Sequence, residues 1–202
     1  MGDLLGSQWI GEDEFARRNK RFWEVFKGTD RVPRGITDVS GRAERLGQDA
    51  AWEKRVIALA GNHDIGYAGE IDRHRIERFE DKFGGVNWDV HFRLENASST
   101  AQPANSPFTP NPFASPPKLH VIMLNSMNLD GPADTPDLHR QSKDFLNEQL
   151  RQGTHSGGTW TLLLTHISFH KRMGICADAP FFSYFPPDQG GGIGDRTTSA
   201  TV

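Results

Sequence analysis

Three short apolar runs, each closed by polar residues, set the frame of this sequence. They are Arg55-Val56-Ile57-Ala58-Leu59-Ala60, Leu119-His120-Val121-Ile122-Met123-Leu124 and Trp160-Thr161-Leu162-Leu163-Leu164. The first two have the length and character of buried strands, and the third reads as an apolar strand. Between them the period changes. Residues 11–27 put Phe15, Phe22, Trp23 and Phe26 on one helical face and Arg17, Arg18, Lys20 and Glu24 on the other. Residues 70–83 space Ile76, Phe79 and Phe83 as a second helix, which Gly84-Gly85 ends. Residues 140–151 form a third, with Phe145, Leu146, Gln149 and Leu150 on one side. Residues 86–95 alternate instead, with Val86, Trp88, Val90, Phe92 and Leu94 facing inward. That is a half-buried strand, and it predicts a solvent-facing His91. Residues 28–47 read as a surface loop leading to a short helix around Ala50 and Trp52. Strands alternating with helices predict an α/β fold.

Residues 97–117 break this rhythm. They hold six of the chain's 12 prolines among Ser, Ala, Thr and Asn, and read as a weakly ordered insertion. No internal repeat is present. A chain of 202 residues is long enough for one domain with a real core. Its 23 basic and 26 acidic residues give a net charge of -3, which argues against nucleic acid as a partner. The single cysteine, Cys176, excludes an internal disulfide and a cysteine-cluster zinc site. No apolar run approaches the roughly 20 residues of a spanning helix, and no signal peptide opens the chain, so the chain as written is expected to be soluble. Asn96-Ala97-Ser98 fits a glycosylation sequon, a faint pointer to the secretory pathway.

The chemistry lies at the ends of the apolar runs. After Ala60 the chain turns into Gly61-Asn62-His63-Asp64. An amide oxygen is a modest ligand for a hard or borderline cation. A histidine moves a proton near neutral pH, and a neighbouring aspartate can orient it. The third run delivers His166 in the same manner, and Gly2-Asp3 offers a carboxylate near the start. The loop Asn125–Ala133 follows the middle run, where α/β sheets place their ligand sites. Its Asp130-Gly131-Pro132 turn either contacts substrate or simply turns.

The Gly61–Asp64 block resembles that of the calcineurin-like metallophosphoesterases. The match extends to Gly2-Asp3-Leu4-Leu5-Gly6-Ser7-Gln8-Trp9, Asn125–Pro132, His166–Lys171, Gly174–Phe182 and Gly190–Ile193. These runs resemble a fungal branch of membrane-bound phosphoesterases of the endoplasmic reticulum and Golgi. Its members remove ethanolamine phosphate from GPI-anchor glycans, use manganese-type metals and support export of GPI-anchored proteins. The resemblance implies an α/β/β/α sandwich over residues 1–193, with residues 194–202 an unrelated tail. It implies Asp3, Asn62 and His166 as metal ligands, with His63 and Asp64 as the catalytic pair. It implies a phosphodiester substrate, and an endoplasmic reticulum or Golgi membrane location through segments absent from this sequence.

The sequence also departs from that family. The strand and ligands that precede Gly-Asp are missing, as is the Gly-His-x-His block near the end. The sandwich is therefore expected to be incomplete. The two cations of the intact family reduce to at most one weak site of three protein ligands. Two readings stay open at this point: a divalent-metal phosphoesterase or a piece of one, and a non-catalytic module that keeps the fold.

Overall fold

The computed structural model describes residues 2–67, 70–93, 118–129, 135–153 and 159–167. The Pro/Ser-rich stretch at 97–117, the sequon, the Asp130-Gly131-Pro132 turn, Cys176 and the tail at 194–202 lie outside the described residues.

The chain is α/β, with two sheets. Strands β1 (Asp30–Arg31) and β3 (Arg55–Val56) pair in parallel. Strands β2 (Arg42–Arg45), β4 (Trp88–Arg93), β5 (Lys118–Leu124) and β6 (Thr159–Thr165) make the larger sheet in the order β2-β4-β5-β6. Only the β4–β5 pair is antiparallel. Helices α1 (Glu12–Val25), α2 (Arg34–Thr37), α3 (Asn62–Ile65), α4 (Arg73–Phe83) and α5 (Pro136–Gly153) complete the described elements, with two short 3-10 turns. This arrangement suits the incomplete sandwich expected from the sequence. No helix among the described residues is long and apolar enough to cross a membrane.

Helix α4 shows why the periodicity was legible. Asp72 caps it by accepting the Arg75 N–H at 2.8 Å, and Gly84 ends it at a φ of 96°. Its Ile76, Phe79 and Phe83 join Phe15 of α1, Ile65 of α3, Met127 and Leu138 in one buried core. Phe22 and Trp23 of α1 pack on Phe83 from the rim. A second core lies on one face of the large sheet, where Trp88, Val90, Phe92, Val121 and Met123 meet Val32 and Ile36.

Four expectations are corrected. The loop at 28–47 contains β2, whose sequence Arg-Ala-Glu-Arg carries no strand pattern and whose place is set by pairing with β4. Only Arg55–Val56 of the first apolar run is laddered, because β1 offers it two residues of partner; Ala58, Leu59 and Ala60 are buried beyond the ladder. Helix α5 starts at Pro136 and buries Leu138, Ser142 and Gln149, leaving Leu150 48 % exposed. The polar face of β4 is not open to water: Asp89 is fully buried and His91 half-buried, because α5 covers this side and brings Gln149 within 3.4 Å of Asp89. At the sheet's other end β6 carries Trp160, Leu162 and Leu163 exposed.

The Glu80 carboxyl is partly buried in the helical layer. Burial pushes the Glu80 carboxyl up, against the Val86 N–H that it accepts at 3.2 Å and the Arg34 guanidinium at 3.9 Å. A raised carboxyl favours the protonated form in the folded state. Its stabilisation is therefore complete below the ordinary carboxylate range and is lost as pH rises through the raised value. Glu80→Gln keeps an oxygen for Val86 and removes the partly buried charge. We expect its urea midpoint to exceed that of the parent at pH 7 and to converge with it toward pH 4. Parallel pH profiles for the two chains would refute this.

Candidate metal centre

Three loops converge at one end of the strands. Residues Gly2–Ile10 form the first. Arg18 of α1 donates to the Leu5 and Gly6 carbonyls, both at 2.9 Å. Arg78 of α4 donates to the Ser7 carbonyl at 2.7 Å and the Ile10 carbonyl at 3.0 Å. Two guanidiniums thus satisfy four carbonyls that no strand takes up.

Asp64 ties this loop to the second, the turn at Gly61–Asp64. Its side chain is 1 % exposed and takes four backbone N–H groups. Oδ1 accepts from Leu5 at 2.9 Å and Gly6 at 3.3 Å; Oδ2 accepts from Leu4 at 2.9 Å and Gly61 at 3.2 Å. The Gly61 bond is the reach-back of a third helical residue to the N-cap of α3. The Asp64 carbonyl also accepts the Ser7 hydroxyl at 3.0 Å. Both carboxylate oxygens are therefore committed to the backbone. The aspartate expected to orient His63 instead holds two loops together.

That tie places Asp3. Its backbone has a φ of 58°, in the left-handed region that non-glycine residues seldom adopt. Oδ1 accepts the His63 backbone N–H at 3.0 Å, and Oδ2 lies 3.3 Å from His166 Nε2. Asn62 Oδ1 lies 3.0 Å from the same nitrogen. The three side chains named from the sequence as ligands thus meet at one point. The third loop, after β6, is held by the Ile167 N–H donating to the Ser126 hydroxyl at 3.1 Å.

Gly2 and Gly61 make this approach possible. A Cβ at Gly61 would fall well inside 3.0 Å of the Asp3 backbone and carboxylate, and one at Gly2 would strike the His166 ring. Gly66, at a φ of 95°, lets the chain leave the turn.

The donor set suits a divalent cation. Neighbouring ligands on an octahedral ion with bonds near 2.1 Å sit about 3 Å apart, the spacing found between Nε2 and the two oxygens. Asp3 and His166 are partly exposed, at 34 % and 21 %, so solvent can complete the coordination. One carboxylate, one amide and one imidazole suit a borderline ion of the manganese type. His63 follows Asn62 in the first turn of α3, exposed to solvent. Its carbonyl accepts the Gln8 N–H at 2.9 Å, which fixes the backbone beneath its ring.

Sequence reasoning missed Arg18, Arg78 and the buried role of Asp64. It also missed a second cluster, Asp89, His91 and His120, whose donor atoms lie within 4.8 Å of one another and could hold one metal ion. The alternation of β4 was the available signal, since it put Asp89 and His91 on one face.

Two curated proteins resemble this chain. Protein TED1 of Saccharomyces cerevisiae is 29 % identical over 92 % of this chain and 43 % of its own length. An uncharacterized protein of Schizosaccharomyces pombe is 25 % identical over 89 % of this chain and 40 % of its own. The chain thus spans about two fifths of the length of these relatives. No family model matches it, and no solved structure does.

Proposed function

We propose that this chain is part of a metal-dependent phosphoesterase of the calcineurin-like kind, with Asp3, Asn62 and His166 binding a manganese-type ion. The reading rests on one observation: His166 Nε2 lies 3.0 Å from Asn62 Oδ1 and 3.3 Å from Asp3 Oδ2, although the three residues are spread over the whole described chain. When bound, the ion supplies a Lewis acid that polarises a phosphoryl oxygen and lowers the pKa of bound water.

The remaining roles belong to the chain. Asp3 is held at its strained backbone by the His63 N–H, so its second oxygen faces His166. His63 stands beside the ligand Asn62 and is open to solvent, where it meets the substrate. It gives a proton to the departing oxygen of the ester. Asp64 fixes the distance between Asp3 and His63 by binding both of their loops. The substrate proposed is a phosphodiester, ethanolamine phosphate on a GPI-anchor glycan. Its removal would support transport of GPI-anchored proteins from endoplasmic reticulum to Golgi. Membrane attachment would come through segments beyond this chain.

The test is manganese-dependent hydrolysis of a bis-aryl phosphate by the 202-residue chain and by a version extended to the relatives' length. We expect activity in the extended version, lowered about 10²–10⁴-fold by His63→Ala. An extended version without metal-dependent activity, or one indifferent to His63→Ala, would overturn the assignment. If the extended version is inert yet still binds manganese through Asp3, the chain is a metal-binding module and not an enzyme.

A further inference from the structure

The large sheet pairs β4 and β5 so that His91 faces His120 across the ladder. Asp89, two residues before His91, shares their side of the sheet. His120 Nε2 lies 2.9 Å from Asp89 Oδ2, and His91 Nε2 lies 3.6 Å from the same oxygen. The two imidazoles stack at 3.9 Å between centroids. The other carboxylate oxygen, Oδ1, is taken by the Ser40 hydroxyl at 2.6 Å, the Gly41 N–H at 2.9 Å and the Gln149 amide at 3.4 Å. The carboxylate is thereby fixed with Oδ2 turned to both rings.

We propose that Asp89, His91 and His120 form a site for a zinc-class ion, separate from the trio at the strand ends. A buried Asp–His pair fulfils a structural role alone; the second imidazole on the same oxygen goes beyond that need. Ligands of a tetrahedral zinc ion at 2.0–2.1 Å stand about 3.3 Å apart, and the 2.9 and 3.6 Å separations bracket this value. Two imidazoles and one carboxylate favour a borderline ion over magnesium or calcium, which prefer oxygen throughout. Ser40, Gly41 and Gln149 supply the outer hydrogen bonds that orient a metal-binding carboxylate. His91 is 26 % exposed, so the site has an entrance and a position for water, while Asp89 and His120 stay buried.

The two sites are distinct. His120 is level with Thr161 on β6, five residues before His166, which is about 16 Å along the strand. Both rings can ligate one ion only if their nitrogen lone pairs converge. The parallel stack, now 14° between planes, must therefore open, with the half-buried His91 turning.

The test uses the full 202-residue chain stripped with a chelator, titrated with zinc or magnesium chloride and followed by calorimetry and by histidine ring NMR signals. We expect zinc to bind at least about tenfold more tightly than magnesium and to shift the His91 and His120 signals together. His166→Ala should keep those shifts, and His91→Gln should weaken the zinc event that causes them at least about tenfold. Unchanged zinc affinity in His91→Gln, or zinc that moves other histidine signals and leaves these two still, would overturn the proposal. If His91→Gln does not fold, the shifts in the His166→Ala chain decide alone. Because His166→Ala removes the other trio's imidazole, failure here is distinguishable from failure of the phosphoesterase reading.

Discussion

Replacing Asp64 with alanine should lower the stability of this chain by about 3–5 kcal/mol, read as a fall in the urea midpoint. The carboxylate accepts four backbone N–H groups, and those of Leu5 and Gly61 belong to buried residues. A buried donor stripped of its acceptor costs about 1–3 kcal/mol, and bonds to a charged acceptor sit at the upper end. Against a typical total of about 5–15 kcal/mol the loss is large. Asp64→Asn should fall between parent and alanine, since an amide oxygen serves one pair of N–H groups and its NH₂ opposes the other. The measurement separates two roles for this residue. If its purpose is to orient the His63 imidazole, Asp64→Ala removes activity and leaves the midpoint near that of the parent. If it joins the loops, as its bonds indicate, stability and manganese binding fall together.

Gly61→Ala should weaken manganese binding by about 10–100-fold and cost about 1–3 kcal/mol of stability. Gly61 has a φ of -107° and a ψ of 169°, which any residue can adopt, so backbone preference is not the obstacle. The obstacle is space: the added methyl would overlap both the backbone nitrogen and the carboxylate of Asp3. Asp3 must retreat, and Oδ2 leaves its place beside His166. Gly11→Ala is the control, because nothing lies within 4 Å of the Cβ it would add. Isothermal titration with manganese chloride checks the first value on the three chains, and urea melting of the same chains checks the second. Parent-like binding by Gly61→Ala would remove Asp3 from the ligand set.

The donors of the candidate centre were legible through the family resemblance, and each also ends a glycine-marked turn or an apolar strand. Asn62 follows Gly61, Asp3 follows Gly2, and His166 follows β6. What holds them was not readable. Arg18 and Arg78 occupy positions that helical periodicity assigns to solvent, yet their guanidiniums bind the Gly2–Ile10 loop. The bonds of Asp64 span about sixty residues of sequence, and no local pattern announces such a partner. Alternation along β4 separated its two faces correctly but not what covers them. Only the position of α5 reveals that Asp89 lies inside, and only the β4–β5 register reveals that His91 is packed against His120. β2 was missed for a related reason, because a tetrapeptide of three charged residues and an alanine becomes a strand only when a neighbour supplies the ladder.

The separations within the trio carry a consequence for how the chain comes to exist. Asp3 meets the His63 backbone across 60 residues, and Asn62 meets His166 across 104. Both loops must close before the donors share one point, and closure of such loops is an entropic cost met late in folding. A partly folded chain, or one still leaving the ribosome, holds no such coordination sphere. A cation recognised there is a ligand of the finished native state and not a nucleus for it. It would act as a latch, slowing unfolding and leaving the folding rate as it was.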